Sequence, residues 1–203
     1  GEALVNHIYG QDVSPNAAEI SAQFNSLVAW YLGPPADASD SDLDFTTVVL
    51  HELGHGLNLL DTVMEDGSWA SDPPLRGIYD SLLETGNRPR LPALTQAERA
   101  AALISGELYW GGAAATAANG DKRPKLYAPA SYEPGSSVSH LDEANHGGEL
   151  MSPEYTGVDR SPSALELGML QDMGWGIRTS QTARVADPAT TNALSAYIVV
   201  HPH

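Results

Sequence analysis

The stretch "VVLHELGHGLNLLD", from Val48 to Asp61, constrains this chain more than any other. His51 and His55 are four residues apart, a spacing that places both side chains on one face of an α-helix. Both imidazoles can then reach one metal ion with bonds of roughly 2 Å. The flanking residues are apolar and uncharged, which predicts a buried helix, and burying such polar groups is costly unless a metal or hydrogen bonds compensate. The pattern therefore predicts a metal-binding helix.

Glu52 directly follows the first histidine of this H-E-x-x-H pattern. One residue further along the helix it cannot join the two imidazoles as a ligand, but it can contact a water molecule bound to the metal. Catalytic zinc keeps three protein ligands and one open position for water. The zinc lowers the pKa of that water to about 7, and a neighbouring carboxylate takes its proton. Glu52 is therefore the candidate general base.

A third ligand is needed, and the residues alone leave four candidates open: Asp61, Glu84, His140 and His146. Asp61 can return to the metal only if the helix breaks near Asn58, and asparagine tolerates the left-handed backbone conformation better than most residues. Glu84 requires that "YDSLLE" form a helix facing the site. His140 and His146 lie in "SSVSHLDE" and "ANHGGELM", far along the chain.

The motif resembles that of the metzincin zinc endopeptidases, where a third ligand follows a glycine break and a buried methionine turn lies beneath the metal. This chain has Asn58 at the glycine position and Asp61 at the last ligand position, and so departs from the common form at both. It resembles the leishmanolysin family more closely, because that family takes its third histidine from a distant segment. "SHLDE" is similar to that segment, "ELMSP" is similar to the methionine turn, and His140 precedes Met151 by the eleven residues expected for the family.

The resemblance implies that His51, His55 and His140 bind zinc and that Met151 forms an apolar floor beneath them. It implies a zinc-dependent endopeptidase that hydrolyses peptide bonds in proteins through a zinc-bound water, with Glu52 as general base. Two alternatives stay open. One is a gluzincin-type peptidase with Glu84 as a ligand, and the other is a non-catalytic, metal-stabilised binding or adhesion module.

The pattern of elements predicts an α+β fold, and the resemblance implies a two-lobed, metzincin-like catalytic domain over residues 1–177. Residues 1–60 would form a lobe with a small sheet and the active-site helix. Residues 61–177 would form a largely irregular lobe with a long insertion and a late helix. Residues 178–203 are interpreted as a tail or linker with one short apolar strand.

Local signals place individual elements within these lobes. "AEISAQFNS" alternates apolar and polar residues, which predicts a half-buried strand and a candidate edge for an extended substrate. Asp42 or Asp44 is expected to cap the helix that begins near Phe45. Thr95 begins a capping-box helix. A second clear helix is expected to start from a Ser161 cap and to end at Gly174. Tyr155, four residues beyond Met151, is interpreted as structural or part of the pocket wall.

The composition limits the partners. The chain has 26 acidic and 10 basic residues and a net charge of -16, which argues against nucleic acid and anionic membranes and leaves proteins or peptides as expected substrates. No apolar run is long enough to span a membrane. The acidic excess fits simple solubility, and a second interpretation is Ca²⁺ bound by carboxylates such as those of "ADASDSDLD". A secreted protein is expected. "GEALVNHIYG" lacks a signal-peptide pattern, so any such segment would have been removed from this chain. Nothing in the sequence indicates an oligomeric state.

Overall fold

The computed structural model describes residues 1–39, 41–71 and 76–177, which mix α-helices with short strands. This agrees with the predicted α+β class. The helices are α1 (Glu2–Tyr9), α2 (Phe45–Gly56), α3 (Ile78–Ser81), α4 (Gln96–Leu103), α5 (Ala113–Ala118), α6 (Glu143–His146) and α7 (Ala164–Asp172). The strands are β1 (Trp30–Tyr31), β2 (Leu43–Asp44), β3 (Leu83–Thr85) and β4 (Leu108–Trp110).

Two small sheets fix the positions of the segments around the metal-binding motif. β1 and β2 pair in parallel, and β2 leads directly into α2. β3 and β4 pair antiparallel, with Leu83 opposite Trp110. Isolated bridges continue from β4, because Tyr109 bridges Lys125 and Leu126 bridges Leu141. The second sheet therefore holds the backbone immediately beside His140.

The buried apolar core belongs almost entirely to residues 59–177. Among the first 58 residues only Leu4 joins the core cluster, whereas the later residues contribute large side chains such as Tyr79 and Trp110, both with no exposed surface. α5 packs closely on α7, since a Cβ at Gly168 would lie 2.7 Å from the Cα of Ala115. The core therefore supports the face of α2 that turns toward residues 59–177.

α1 lies in a stretch where the sequence analysis predicted no element, and it contacts the far end of the described chain. The ring of His7 stacks on Trp175 with centroids 4.7 Å apart. The indole N–H of Trp175 donates to the carbonyl of Leu57, at 2.9 Å, just beyond the last turn of α2. The two ends of the described chain therefore meet at the C-terminal end of the metal-binding helix.

The strand predicted over "AEISAQFNS" is wrong, since only Ala22 forms a bridge in this segment. From Ser21 to Phe24 the alternation nevertheless predicts which side chains face the protein, since Ala22 and Phe24 are half-buried whereas Ser21 and Gln23 are exposed; Glu19, on the predicted polar face, is half-buried too. Phe24 packs edge-on against Phe45 at 5.0 Å, at the start of α2. The segment is an extended covering of that helix and offers no sheet edge to a substrate.

The predicted cap of the late helix is also wrong. Ser163, not Ser161, caps α7, because its hydroxyl accepts the N–H of Glu166 while the Glu166 carboxylate accepts the N–H of Ser163 at 2.8 Å. Only the serine three residues before a glutamate can form this reciprocal box. The capping box of Thr95 and Glu98 at α4 is confirmed.

Three further predictions have different outcomes: one is wrong, one agrees with the structure, and one falls on residues that the structure does not describe. Within residues 61–177, which were expected to be largely irregular, "GGAAATAANG" contains the helix α5. None of the described helices is both long and apolar enough to cross a membrane. The tail from residue 178 onward, with its predicted strand, lies outside the described residues.

Candidate metal centre

The start of α2 is fixed by Asp44, one of the two predicted caps. Its Oδ1 accepts hydrogen bonds from the N–H and the hydroxyl of Thr47, both at 2.7 Å. The Nε of Arg160 donates to both carboxylate oxygens at 3.1 Å, and Asp44 has no exposed surface. Hydrogen bonding to Arg160 is the largest cause that lowers the pKa of Asp44 to about 2. Arg160 thereby ties the loop that precedes α7 to the helix that carries the motif.

Replacing Arg160 with leucine is expected to lower the free energy of unfolding at pH 7 by about 3 kcal/mol, because it leaves the Asp44 carboxylate buried without its partner. Urea unfolding at pH 7 measures this. The Arg90→Leu variant is the control, since Arg90 is 54% exposed and lies 3.8 Å from Glu84, and we expect a change within about 0.5 kcal/mol. Equal effects of the two substitutions would contradict the role given to Arg160.

The ion pair of Asp44 and Arg160 makes the free energy of unfolding depend on pH. Asp44 has a folded-state pKa below its ordinary value of 3.8, so its contribution is present above that value and is lost as the pH falls toward 2. This acid-dependent loss should be smaller in the Arg160→Leu protein.

α2 ends at Gly56, just before Asn58, the residue at which the sequence would need a break for Asp61 to return to the metal. Asn58 has a left-handed backbone with φ 82°, a conformation that asparagine adopts more readily than most residues. The chain then turns back so that the N–H of Leu59 donates to the carbonyl of Gly54 at 3.0 Å. This turn brings the carbonyl of Leu59 to 2.8 Å from Nδ1 of His55.

The other two histidines of the predicted ligand set are oriented in the same way. Nδ1 of His51 lies 2.5 Å from the carbonyl of Leu150, and Nδ1 of His140 lies 2.8 Å from the carbonyl of Ser136. A carbonyl only accepts hydrogen bonds, so each Nδ1 carries a proton, and Nε2 is the nitrogen of each ring that is left to bind a metal. All three rings are therefore fixed in the tautomer that a metal ion binds through Nε2.

The three Nε2 atoms converge on one point. Nε2 of His51 lies 3.2 Å from Nε2 of His55 and 3.2 Å from Nε2 of His140. Two nitrogens at this separation can share a metal ion about 2.05 Å from each, with an angle of roughly 100° between the bonds, near the tetrahedral value. Lone pairs that face one another without a shared proton repel, so a cation is the species that this arrangement fits.

The pKa values of these rings agree with that arrangement. Burial, and then the nearby ring of His51, lowers the pKa of His55 to about 4. Burial and the other two imidazoles lower the pKa of His140 to about 3. Both rings are therefore neutral at pH 7, the state in which imidazole binds a metal. Among the described residues, these three histidines are the one group of ligand-type side chains with all ligand atoms within 4.8 Å of one another.

The side chains of the remaining candidates for a third ligand bind other groups. Asp61 hydrogen-bonds with its carboxylate to the hydroxyl of Ser139, whose oxygen also accepts the N–H of Asp61 at 3.1 Å. Burial raises the pKa of Asp61 to about 7. Glu84 pairs with Arg123 at 3.0 Å. His146 uses its Nε2 to accept the N–H of Lys125 at 3.2 Å, and with Glu84 it lines a separate, larger cavity of about 860 Å³.

Beneath the histidines, Met151 lies where an apolar floor was expected. It is 2% exposed, and a Cβ added at Gly54, between the two histidines of α2, would overlap its sulfur. The N–H of Met151 donates at 2.7 Å to the buried carboxylate of Glu166. Because Gly54 has no side chain, the sulfur of Met151 can lie close to α2 at this point. The hydrogen bond to Glu166, a residue of α7, holds the backbone of Met151 in position.

Glu52 borders an open space beside the histidines. A cavity of about 190 Å³, here called the cleft, is bounded by α2 and by the segment 148–159, and both His51 and Glu52 line it. The hydroxyl of Tyr155 accepts the N–H of Asp44 and donates to the carbonyl of Asp42, while the residue also lines the cleft. Tyr155 therefore has both the structural and the wall role predicted for it.

Sequence reasoning missed the groups that orient the ligands. The carbonyls of Leu59, Ser136 and Leu150 give no residue-type signal, because every residue carries one. Arg160 was also missed, although an isolated arginine in a chain with ten basic residues is a signal for a specific ion pair.

The acidic stretch "ADASDSDLD" was named as a possible calcium site. Within it, Asp42 accepts the N–H of Ser39 at 2.8 Å, and calcium binding there stays a prediction.

No protein-family model matches the chain, and neither does any curated protein or solved structure. The interpretation of the site therefore depends on its own residues and their geometry.

Proposed function

We propose that this protein is a zinc-dependent endopeptidase of the metzincin type, similar to the leishmanolysin family. The observation that carries the proposal is the convergence of three Nε2 lone pairs directly beside Glu52, on the wall of a cleft. Three imidazoles with one position left open are a donor set of catalytic zinc sites, whereas structural zinc sites are closed by four ligands. A site that served only to stabilise the fold would have no use for a carboxylate at its open side.

The donor set favours zinc without excluding other imidazole-binding ions such as copper, nickel or iron. When bound, zinc would supply Lewis acidity that polarises a peptide carbonyl and makes water a nucleophile near pH 7. Every other task falls to side chains of this chain. His51, His55 and His140 hold the ion, each fixed by a backbone carbonyl.

Glu52 is the proposed general base. It follows His51 on the same helix and lines the cleft in which a peptide bond would lie. In the proposed reaction the carboxylate accepts a proton from the attacking water and then gives it to the nitrogen of the leaving amine. The carbon–nitrogen bond breaks as that proton is delivered.

A casein hydrolysis assay with and without a chelator tests the proposal. We expect 1,10-phenanthroline to abolish hydrolysis and a small excess of zinc to restore it, because without the ion nothing would polarise the peptide carbonyl or activate the water. A serine-protease inhibitor is the control and should have no effect. Folded, zinc-loaded protein that cleaves neither casein nor a diverse peptide library would instead favour a metal-stabilised binding module.

A further inference from the structure

A second cavity, lined in part by Glu84 and His146, has a volume of about 860 Å³. This is within the roughly 300–1,000 Å³ of typical ligand sites. None of the three proposed zinc ligands lines it. We call it the basic cavity, because four of the chain's ten basic residues line it, including both lysines: Arg88, Lys122, Arg123 and Lys125. It is therefore an exception in a chain with 26 acidic residues.

The carboxylates of the basic cavity do not cancel this charge. Glu84 is already bound by Arg123 at 3.0 Å and lies 3.8 Å from Arg90. Asp121, the other carboxylic residue of the lining, is exposed to solvent. Among the described residues, the three remaining cations of the cavity form no ion pair: Arg88, Lys122 and Lys125. The cavity therefore carries unpaired positive charge.

Lys125 is the cation whose backbone position is best defined. Its N–H donates to Nε2 of His146 at 3.2 Å, and its carbonyl accepts the N–H of Asp142 at 3.0 Å. Burial lowers the pKa of His146, so that ring is mainly neutral at pH 7 and adds no charge of its own. Lys125 is half-buried, and an anion beside a partly desolvated cation is attracted more strongly than one beside a fully solvated lysine.

The neutral polar side chains of the basic cavity already donate hydrogen bonds within the protein. Thr116 and Asn119 donate to backbone carbonyls at 2.7 and 2.9 Å, and Asn145 donates to the carboxylate of Asp142. What the cavity offers is thus the charge of long, flexible side chains, without a fixed set of hydrogen-bond donors. Such a site suits a polypeptide segment with several carboxylates better than a single small anion that needs donors in an exact geometry.

The basic cavity shares a wall segment with the cleft. Asn145 and His146 line the basic cavity, and the segment 148–159 borders the cleft. Two residues of extended chain span at most about 7 Å, so His146 and Gly148 bring the linings of the two cavities close together. A polypeptide that occupies the cleft is therefore held near the basic cavity.

We propose that the basic cavity binds an acidic segment of the protein substrate, rich in aspartate and glutamate and separate from the scissile bond. This inference rests on the proposed peptidase function and adds the substrate class. The acidic excess of the whole chain repels such a segment, whereas the basic cavity attracts it, so the charges favour one orientation of the substrate. Binding at a second point raises the effective concentration of the scissile bond at the cleft.

The first test uses matched peptides with one cleavage sequence. A run of glutamates or of glutamines is attached on either side of this sequence through neutral spacers of different lengths. At the best spacer length we expect kcat/KM at low salt to be at least about tenfold higher for the glutamate peptide, mainly through a lower KM. High salt should reduce this advantage.

Two sets of variants test the location. In the protein with both Lys122→Gln and Lys125→Gln, the glutamate-to-glutamine ratio of kcat/KM should fall to near unity. Replacing the same lysines with arginines keeps the charge and should keep most of the ratio. The Arg76→Gln protein is the control, because Arg76 is exposed and does not line the basic cavity, and its ratio should equal that of the wild type.

The second test separates the basic cavity from catalysis. A fluorescein-labelled glutamate oligomer is titrated with the purified protein, and its fluorescence anisotropy is compared with that of a glutamine oligomer. Binding that favours glutamate, weakens with salt and is lost in the double glutamine variant supports the inference even if no peptide is cleaved, an outcome that would refute the peptidase function alone. Equal binding of the two oligomers, or binding that survives the double substitution, overturns the inference. Tighter binding of inorganic phosphate or heparin, lost in the same variant, also overturns it, because the cavity would then take a different anion.

Discussion

Replacing Glu52 with glutamine should lower kcat/KM for peptide hydrolysis by about 10²- to 10⁴-fold while the protein keeps its full content of zinc. The amide has nearly the shape of the carboxylate but cannot accept a proton, so general-base catalysis is lost. We expect metal binding to be retained, because the three imidazoles are oriented by the carbonyls of Leu59, Ser136 and Leu150.

The measurement pairs steady-state kinetics with metal analysis of the same preparation. The Glu65→Gln protein, with the same chemical change at an exposed position, should keep wild-type activity. Undiminished hydrolysis by the Glu52→Gln protein would refute the assignment of the base. Loss of zinc together with activity would show that Glu52 acts on the metal site and not on the proton.

Replacing His140 with alanine should weaken zinc binding by at least about 100-fold, more than the loss typical of removing a group that merely orients a ligand. Two imidazoles of α2 remain, and two ligands do not make the three-ligand set of catalytic zinc. Competition with a chromophoric chelator measures the affinity directly. Hydrolysis should fall in parallel, because the variant is mostly free of metal at micromolar zinc.

Two other variants decide whether the loss is specific to His140. Asp61→Asn and His146→Ala remove the rival ligands named from the sequence, and both should keep one equivalent of zinc. The carboxylate of Asp61 binds Ser139, and the Nε2 of His146 accepts the N–H of Lys125. Full zinc retention in the His140→Ala protein, or its loss in the Asp61→Asn protein, would contradict the ligand set.

The local half of the metal site could be predicted from the sequence because it depends on helix periodicity. His51 and His55 are brought together by their four-residue spacing on one helix, and the conformational preference of asparagine allows the left-handed backbone at Asn58. Asp44 could be named as one of two possible caps because a capping side chain binds the N–H of a residue only two or three positions further along the chain. Each of these inferences uses interactions over a few residues.

The long-range half of the site could not be derived in this way. His140 reaches its position through the bridges of Leu126 to Leu141 and Tyr109 to Lys125, which no local pattern specifies. It was chosen on family resemblance, and the residues alone left Asp61, Glu84 and His146 open. The same reason explains the cleft, since the segment 148–159 borders α2 only through the folding of parts of the chain about a hundred residues apart.

The errors in the fold have a similar cause. The alternation of "AEISAQFNS" predicts which side chains face the protein, but a strand also needs a partner, and this segment lies against α2 instead. α1 was missed because it has only eight residues and its packing partner, Trp175, is at the other end of the described chain. Choosing Ser161 over Ser163 ignored the reciprocal glutamate, a signal that the sequence did contain.

The most direct test of the account is a titration of metal-free protein with zinc while peptide hydrolysis is recorded. We predict that activity rises linearly from near zero and reaches a plateau at one equivalent of zinc per chain, and that the Glu52→Gln protein binds the same equivalent without gaining activity. Hydrolysis by metal-free protein at the full rate, or one tightly bound equivalent that never produces hydrolysis of any peptide in a diverse library, would contradict it.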